Sequence, residues 1–246
     1  MRKQPSQPDA IRSRKQADTK ETPVLTSVFS ESPVGSLVLE SENGERLRSC
    51  LFTTGRQGTK TPETGQRSHA PIFDRARDWL ARYFAGERPN PAELPLNPEG
   101  TAFQLSVWEV LAAIPYGETV TYGWVAERVG ESRGKRTSAR AVGGAVGANP
   151  LGIIIPCHRV IGANGSLTGF GGGLEAKVAL LELEGIAMPH GAKSEAIETP
   201  SNNGPDVLIA TETPSEFSPD VLAAVTRHAK SDTACKAIRD RQELTS

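Results

Sequence analysis

The sequence predicts an α/β first module followed by a mainly helical second module, which holds a helix-turn-helix and a short buried strand. Three observations predict it. Asn43-Gly44 stands between two apolar runs in GSLVLESENGERLRSCLF, a strong hairpin signal. The proline-rich stretch ERPNPAELPLNPEG divides the chain. Beyond it, two short helical patterns joined by a basic turn precede a bare aliphatic run, LGIII at 151–155, which leads directly into PCHRV.

Taken in order, residues 1–22 are polar, charged and aperiodic and read as a disordered arm. Residues 24–52 read as strands, with Cys50 packed as a small hydrophobe. Residues 53–70 read as a polar loop that contains His69. Ile72, Phe73, Ala76, Trp79, Leu80, Tyr83 and Phe84 then recur at helical spacing, with Pro71 at the start and Gly86 past the end; the aromatic stripe reads as core.

The second module opens at Thr101, which has capping-box spacing to Gln104, and Phe103, Val107, Trp108, Leu111 and Ile114 mark one helix face. PYGE at 115–118 is a tight turn. Thr121 caps a helix that carries Tyr122, Val125, Ala126 and Val129 and is expected to close at Gly130. After the basic loop ESRGKRT, a helix begins near Ser138 and is almost devoid of bulk apart from Arg140. Small side chains let a helix lie close to another surface, either a neighbouring helix or a nucleic-acid groove; the pattern leaves both open. LGIII is expected to be the buried strand, GANGSLTGFGGG a glycine-rich loop, and Leu174, Val178, Leu180 and Leu181 a final helix ending near Gly185. From His190 the composition turns to Ser, Thr, Pro, Asp, Glu and Asn and reads as disordered, with one marginal helix capped by Ser218. The implied domains are 23–97 and 98–188, flanked by tails 1–22 and 189–246.

Composition narrows the function. Hydrophobic residues make up 37% of the chain, low for a fully compact protein of its length, which agrees with disordered tails. A net charge of −1 gives no global basic field, so nucleic acid could be bound only through a local patch. Cys50, Cys157 and Cys235 are few, odd in number and far apart, which argues against a disulfide framework and for a reducing compartment. His69, His158, His190 and His228 have no second ligand at zinc spacing, and no run approaches a membrane span. The expectation is a soluble intracellular protein, cytoplasmic in a bacterium or nuclear in a eukaryote, without membrane span or metal site.

Cys157 carries the candidate chemistry. A thiol becomes a strong nucleophile when a base or cation favours thiolate. His158 is adjacent in sequence, but neighbouring side chains in extended backbone point apart, so a Cys–His contact needs a turn or a bridging water. Pro156 helps to make such a turn. Glu184, at the end of the last helix, can orient the base if the glycine loop folds that helix back. By this argument a Cys/His/Glu relay and a buried structural cysteine both stand.

PCHRV at 156–160, ARAVGGAVGANP upstream and GGLEAKVALLELEG downstream together resemble the O6-alkylguanine-DNA alkyltransferases, the methylated-DNA–protein-cysteine methyltransferases, from about Thr101 to Gly185. Residues 24–86 resemble that family's weaker N-terminal domain, an RNase H-like unit, and the helix-turn-helix would be winged-helix-like. The resemblance implies irreversible, single-turnover transfer of an alkyl group from O6-alkylguanine, with O4-alkylthymine as a second lesion, in double-stranded DNA to Cys157. The protein would act as a monomer, flip the base from the minor-groove side and use no cofactor.

By the same match His158 would be the base, acting through water, with Glu184 orienting it and Asn149 bracing the turns. Tyr122 would face both the DNA phosphate and a ring nitrogen of the guanine, and Arg140 would fill the space left by the flipped base. Thr121, Ser138, Ala139, Gly143 and Arg136 would lie along the DNA. Val160, Phe170 and Gly171 would line the guanine pocket. Arg133, Lys135 and Arg136 are either phosphate contacts or a solvated loop. The loop at 130–138 is longer than the family's usual turn, and Phe170 lacks a hydroxyl that some relatives carry. No N-terminal cysteine cluster suggests phosphotriester repair. The rival readings are a non-catalytic helix-turn-helix DNA binder or lesion sensor, and a cysteine hydrolase. Cys157 argues against a lesion sensor of the alkyltransferase-like group, which replaces that cysteine; a helix-turn-helix regulator with a structural or redox-sensing cysteine stays open, and the hydrolase lacks any oxyanion-hole motif.

Overall fold

Strands β1 (Leu25–Phe29), β2 (Leu37–Ser41) and β3 (Ser49–Phe52) form an antiparallel meander in that order, with Ser27 opposite Leu39 and Leu39 opposite Cys50. The computed structural model describes residues 24–55, 58–60 and 68–187; the two tails, His190, His228, Cys235 and the Ser218-capped helix lie outside the described residues, as do residues 56–57 and 61–67 of the 53–70 loop. The hairpin predicted at Asn43-Gly44 joins β2 to β3, but its loop spans 42–48 and is not a two-residue turn. Side chains hold it: Ser41 Oγ accepts from Gly44 N at 2.9 Å and Asn43 Oδ1 from Glu45 N at 3.1 Å. Gly44 takes a φ of +74°, where a side chain would be strained.

Helix α1 (Pro71–Phe84) has Pro71 in its first turn and buries the predicted stripe from Ile72 to Tyr83. The proline-rich stretch is a packed strap: Asn90 caps a short 3₁₀ turn over Pro91–Glu93, and Leu94 and Leu96 are buried beyond it. Helix α2 (Ala102–Ala112) begins with the predicted Thr101/Gln104 capping box. Strand β4 (Val120–Thr121) then leads straight into α3 (Tyr122–Arg133). Thr121 caps α3, accepting from Trp124 N at 3.1 Å. The helix does not close at Gly130. It runs one turn further and ends at Gly134, whose φ of +61° supplies the left-handed cap. Gly130 is interior because nothing there forces a positive φ. Helix α4 (Ala139–Gly147) is capped by Ser138, and Trp108 Nε1 donates to Ala145 O at 2.8 Å, tying α2 to α4.

The LGIII run is not a strand. Leu151 makes one bridge to Cys50, after which the chain reverses in a buried turn with Ile153 at φ +70°. Gly152 permits this, because a Cβ there would fall 2.8 Å from the Phe52 ring. Uniform hydrophobicity fitted a strand because a turn buried on all sides requires it equally. The strand comes after the cysteine instead: β5 (Val160–Ile161) pairs in parallel with β4, Val120 opposite Val160. Helix α5 (Leu174–Leu183) follows the glycine loop, and Gly185 turns the chain beyond it at φ +85°. One hydrophobic core runs from Phe29 in β1 through Trp79, Trp108 and Val142 to Leu180 in α5, so both halves of the chain share it. No described helix is long and apolar enough to cross a membrane.

Candidate active site

Pro156 ends the buried turn, and Cys157–Arg159 form a single 3₁₀ turn. That turn removes the extended geometry that would point Cys157 and His158 apart. Cys157 keeps 7% exposure, whereas His158 is fully buried. Asn149 braces the approach, its Nδ2 donating to Ile155 O at 2.8 Å and its Oδ1 accepting from Leu151 N at 3.1 Å. Burial pushes the Cys157 thiol up. The Asn149 side chain, the Lys177 charge and the backbone N–H groups of Cys157 and His158 oppose it. Burial outweighs these, so the resting thiol is protonated and a base is needed to form its anion.

Glu184 lies just past α5 and gathers a dense set of donors. Its Oε1 accepts from His158 Nε2 at 2.8 Å, Tyr83 Oη at 2.7 Å and an Arg159 terminal nitrogen at 2.8 Å. Its Oε2 accepts from Arg159 Nε at 2.8 Å and Gly117 N at 3.2 Å. Burial alone would push the Glu184 carboxyl up; the hydrogen bonds and charges of His158 and Arg159 outweigh it and hold the group well below the usual carboxylate range. Burial likewise holds His158 neutral against the pull of Glu184. An ionised carboxylate only accepts, so Nε2 carries the imidazole proton and Nδ1 presents a lone pair. Nδ1 is buried and has no hydrogen-bond partner among the described residues. The arrangement is a neutral base, fixed in tautomer and orientation, in the same turn as a thiol.

Tyr122 opens α3 and lines a cleft of about 790 Å³. The walls are the small-residue face of α4 (Ala139, Gly143, Gly144, Gly147) and the glycine loop at Thr168–Gly171. Burial raises the Tyr122 phenol, a side-chain hydrogen bond with Thr168 lowers it, and the Cys157 charge raises it. Phe170 is buried, with its ring edge-on to Phe52 at 5.3 Å and to His158 at 6.4 Å.

Of the residues singled out from sequence, the structure thus brings Cys157, His158, Glu184 and Asn149 into one buried cluster. Tyr122, Ala139, Gly143, Phe170 and Gly171 line the adjacent cleft. Val160 is buried in β5 and is not among the residues lining that cleft, although its carbonyl lies next to the cysteine turn. Thr121 and Ser138 spend their hydroxyls on helix caps. Arg136 and Arg140 are exposed at the start of α4. Arg133 is not a free loop cation, because its guanidinium sits 5.2 Å over the Phe103 ring.

Three polar residues escaped the sequence reading. Arg159 supplies the formal counter-charge to Glu184. Lys177 is buried, with Nζ donating to Val160 O at 2.6 Å and Thr168 O at 3.3 Å, and burial pulls its ammonium down to about 8. It lies three residues after Leu174 and three before Leu180, on the buried face of α5, and that spacing was the available signal. Tyr83 was read as core from its stripe; its hydroxyl partner lies 101 residues away and leaves no local signature. No cluster of metal-ligating residues occurs among the described residues.

Comparison with known proteins shows the family. Residues 102–186 match the family model for the 6-O-methylguanine DNA methyltransferase DNA-binding domain. The methylated-DNA–protein-cysteine methyltransferase of Haemophilus influenzae is 47% identical over 162 residues, which are 66% of this chain and 87% of that protein. Its counterpart in Methanosarcina acetivorans is 45% identical over 63% of this chain and 95% of that one. The crystal structure of Mycobacterium tuberculosis OGT in complex with DNA superposes with a TM-score of 0.54 at 43% identity, covering 65% of this chain and 91% of the other. With a buried cysteine turn, its histidine–carboxylate pair and relatives this similar over nearly their full length, the chain belongs to the methylated-DNA–protein-cysteine methyltransferase family.

Proposed function

We propose that this chain repairs DNA by direct reversal, moving the alkyl group of O6-alkylguanine onto Cys157. The carrying observation is the cysteine turn itself: a thiol followed in the same 3₁₀ turn by a buried neutral histidine held by Glu184. His158, through its Nδ1 lone pair and a bridging water, takes the thiol proton. The thiolate attacks the alkyl carbon in line, a C–S bond forms, and the C–O6 bond breaks with its electron pair passing to the guanine. Hydrogen-bond donation from Tyr122 to a ring nitrogen stabilises that charge, and the proton held at His158 balances it when guanine leaves neutral. The thioether product has no readily hydrolysed bond, so each molecule acts once.

The target carbon lies inside a stacked duplex, so the nucleotide must be extruded at a cost of a few kcal/mol. The face of α4, built from Ala and Gly, is narrow enough for a minor groove, with Arg140 exposed at its start to fill the vacated place and Arg136 near phosphate. The cleft between α4 and the Thr168–Gly171 loop receives the flipped base, with Phe170 contributing a ring face only. We assign the RNase H-like architecture to 23–97 and the winged-helix-like, DNA-binding unit to 98–188. We assign the chain as a monomer in a reducing compartment, where Cys157 stays a free thiol.

Intact-protein mass spectrometry with excess O6-methylguanine duplex tests the proposal. One methyl group per protein, located at Cys157 and lost in Cys157→Ala while DNA binding is kept, is expected. An unchanged mass, or repair of many lesions per molecule, refutes it. Turnover of esters or amides would favour a hydrolase instead.

A further inference from the structure

Tyr83 belongs to α1, in the first module, yet its hydroxyl donates to Glu184 Oε1 at 2.7 Å, the same oxygen that accepts from His158 Nε2. Its ring is 1% exposed, stacks on Trp79 at 5.7 Å and meets Phe84 and Tyr116 edge-on at 5.3 and 6.1 Å. A phenylalanine would fill that space equally well. The hydroxyl adds only its bond to the carboxylate and a longer 3.4 Å approach to His158 Nε2. Burial, reinforced by the Glu184 charge, pushes the phenol far up, so it is a neutral donor at every accessible pH.

We propose that Tyr83 is a positioning residue for alkyl transfer, setting through Glu184 the orientation and basicity of His158, so that the first module is part of the reactive apparatus. The inference rests on the reading of Cys157 as acceptor and His158 as base.

Each donor on a carboxylate withdraws electron density from it. Remove the phenol, and Glu184 becomes a stronger acceptor for His158 Nε2–H, which favours the imidazolium. The other groups facing this cluster are Arg159 and Cys157 from the 3₁₀ turn, Lys177 from α5, and Tyr116 with Gly117 N from the turn after α2. A Tyr83→Phe substitution alters none of these charges. The base should therefore titrate at higher pH, and the acid limb of the reaction should move with it.

The experiment follows methyl transfer from a saturating O6-methylguanine duplex to the full-length protein across pH, at a temperature below the melting points of all variants. Tyr83→Phe should react to one methyl per Cys157 with its acid midpoint raised by about half a unit or more. Placing 4-aminophenylalanine at 83, which restores a donor on the same ring, should bring the midpoint back toward wild type. An unmoved midpoint in Tyr83→Phe, whether or not the plateau rate falls, overturns the inference, and so does a shift that the amino analogue leaves in place. If the wild-type protein takes up no methyl group, the proposed function fails instead.

Discussion

Glu184 is the residue on which the cluster's electrostatics turn, and its charge has a readable pH signature. Its folded carboxyl titrates below the ordinary 4.5, so it contributes stability that is complete above that value and is lost as pH falls through the depressed folded value. Glu184→Gln removes this dependence. It also leaves Arg159, 8% exposed, as a buried charge without its carboxylate. Breaking such a pair from one side costs about 3–5 kcal/mol. Glu184→Gln should thus melt well below wild type at pH 7, with the gap narrowing as both are taken below pH 4.5. It should also transfer methyl slowly, because neither His158 tautomer is then enforced. Equal melting temperatures at pH 7 would contradict the buried-pair reading; calorimetry across pH measures both.

The elements differ in how far their sequences determine them, and α3 offers the sharpest test. Gly134 caps it in the left-handed region, while Gly130 sits inside it with its nearest outside atom 3.5 Å from an added Cβ. Gly134→Ala should cost about 1 kcal/mol, and Gly130→Ala should be neutral or stabilising by up to about 1 kcal/mol. Thermal unfolding of the two variants decides where the helix ends; the reverse order would place the cap at Gly130.

The same contrast explains what was legible. Caps at Thr101, Thr121 and Ser138 and the proline start of α1 are local hydrogen-bond chemistry, and the sequence carried them intact. The 151–155 turn was not legible: Ile153 is buried at φ +70°, and an aliphatic run does not encode its backbone angles. PCHRV and Glu184 were readable as a site. The phenol of Tyr83 and the ammonium of Lys177 were not, because helical periodicity says that a residue is buried and not which polar atom it meets.

At the scale of the whole molecule, the sheet reaches the cleft through Phe52. Its ring packs edge-on to Phe170, lies over Gly152 of the turn before the cysteine, and covers Gly172 of the glycine loop so closely that a Cβ there would fall 2.8 Å from two ring carbons. At neighbouring Gly55, where φ is +83°, a Cβ would fall 2.5 Å from the backbone of Gly171 and Gly172. The first module therefore sets the position of the loop that walls the cleft, in addition to donating Tyr83. Gly172→Ala should force Phe52 or the loop to shift, costing about 1–3 kcal/mol by overpacking and slowing transfer through a displaced Phe170. Phe52→Leu alone should also destabilise, by leaving space beside Phe170. The two defects are complementary in volume and share one contact, so the double variant should be more stable and faster than the sum of the single losses predicts, with a coupling of at least about 0.5 kcal/mol. Strict additivity in both unfolding free energy and methyl-transfer rate would mean that the loop takes its position without the sheet. Coupling in both would show that the pocket wall is held from the first module.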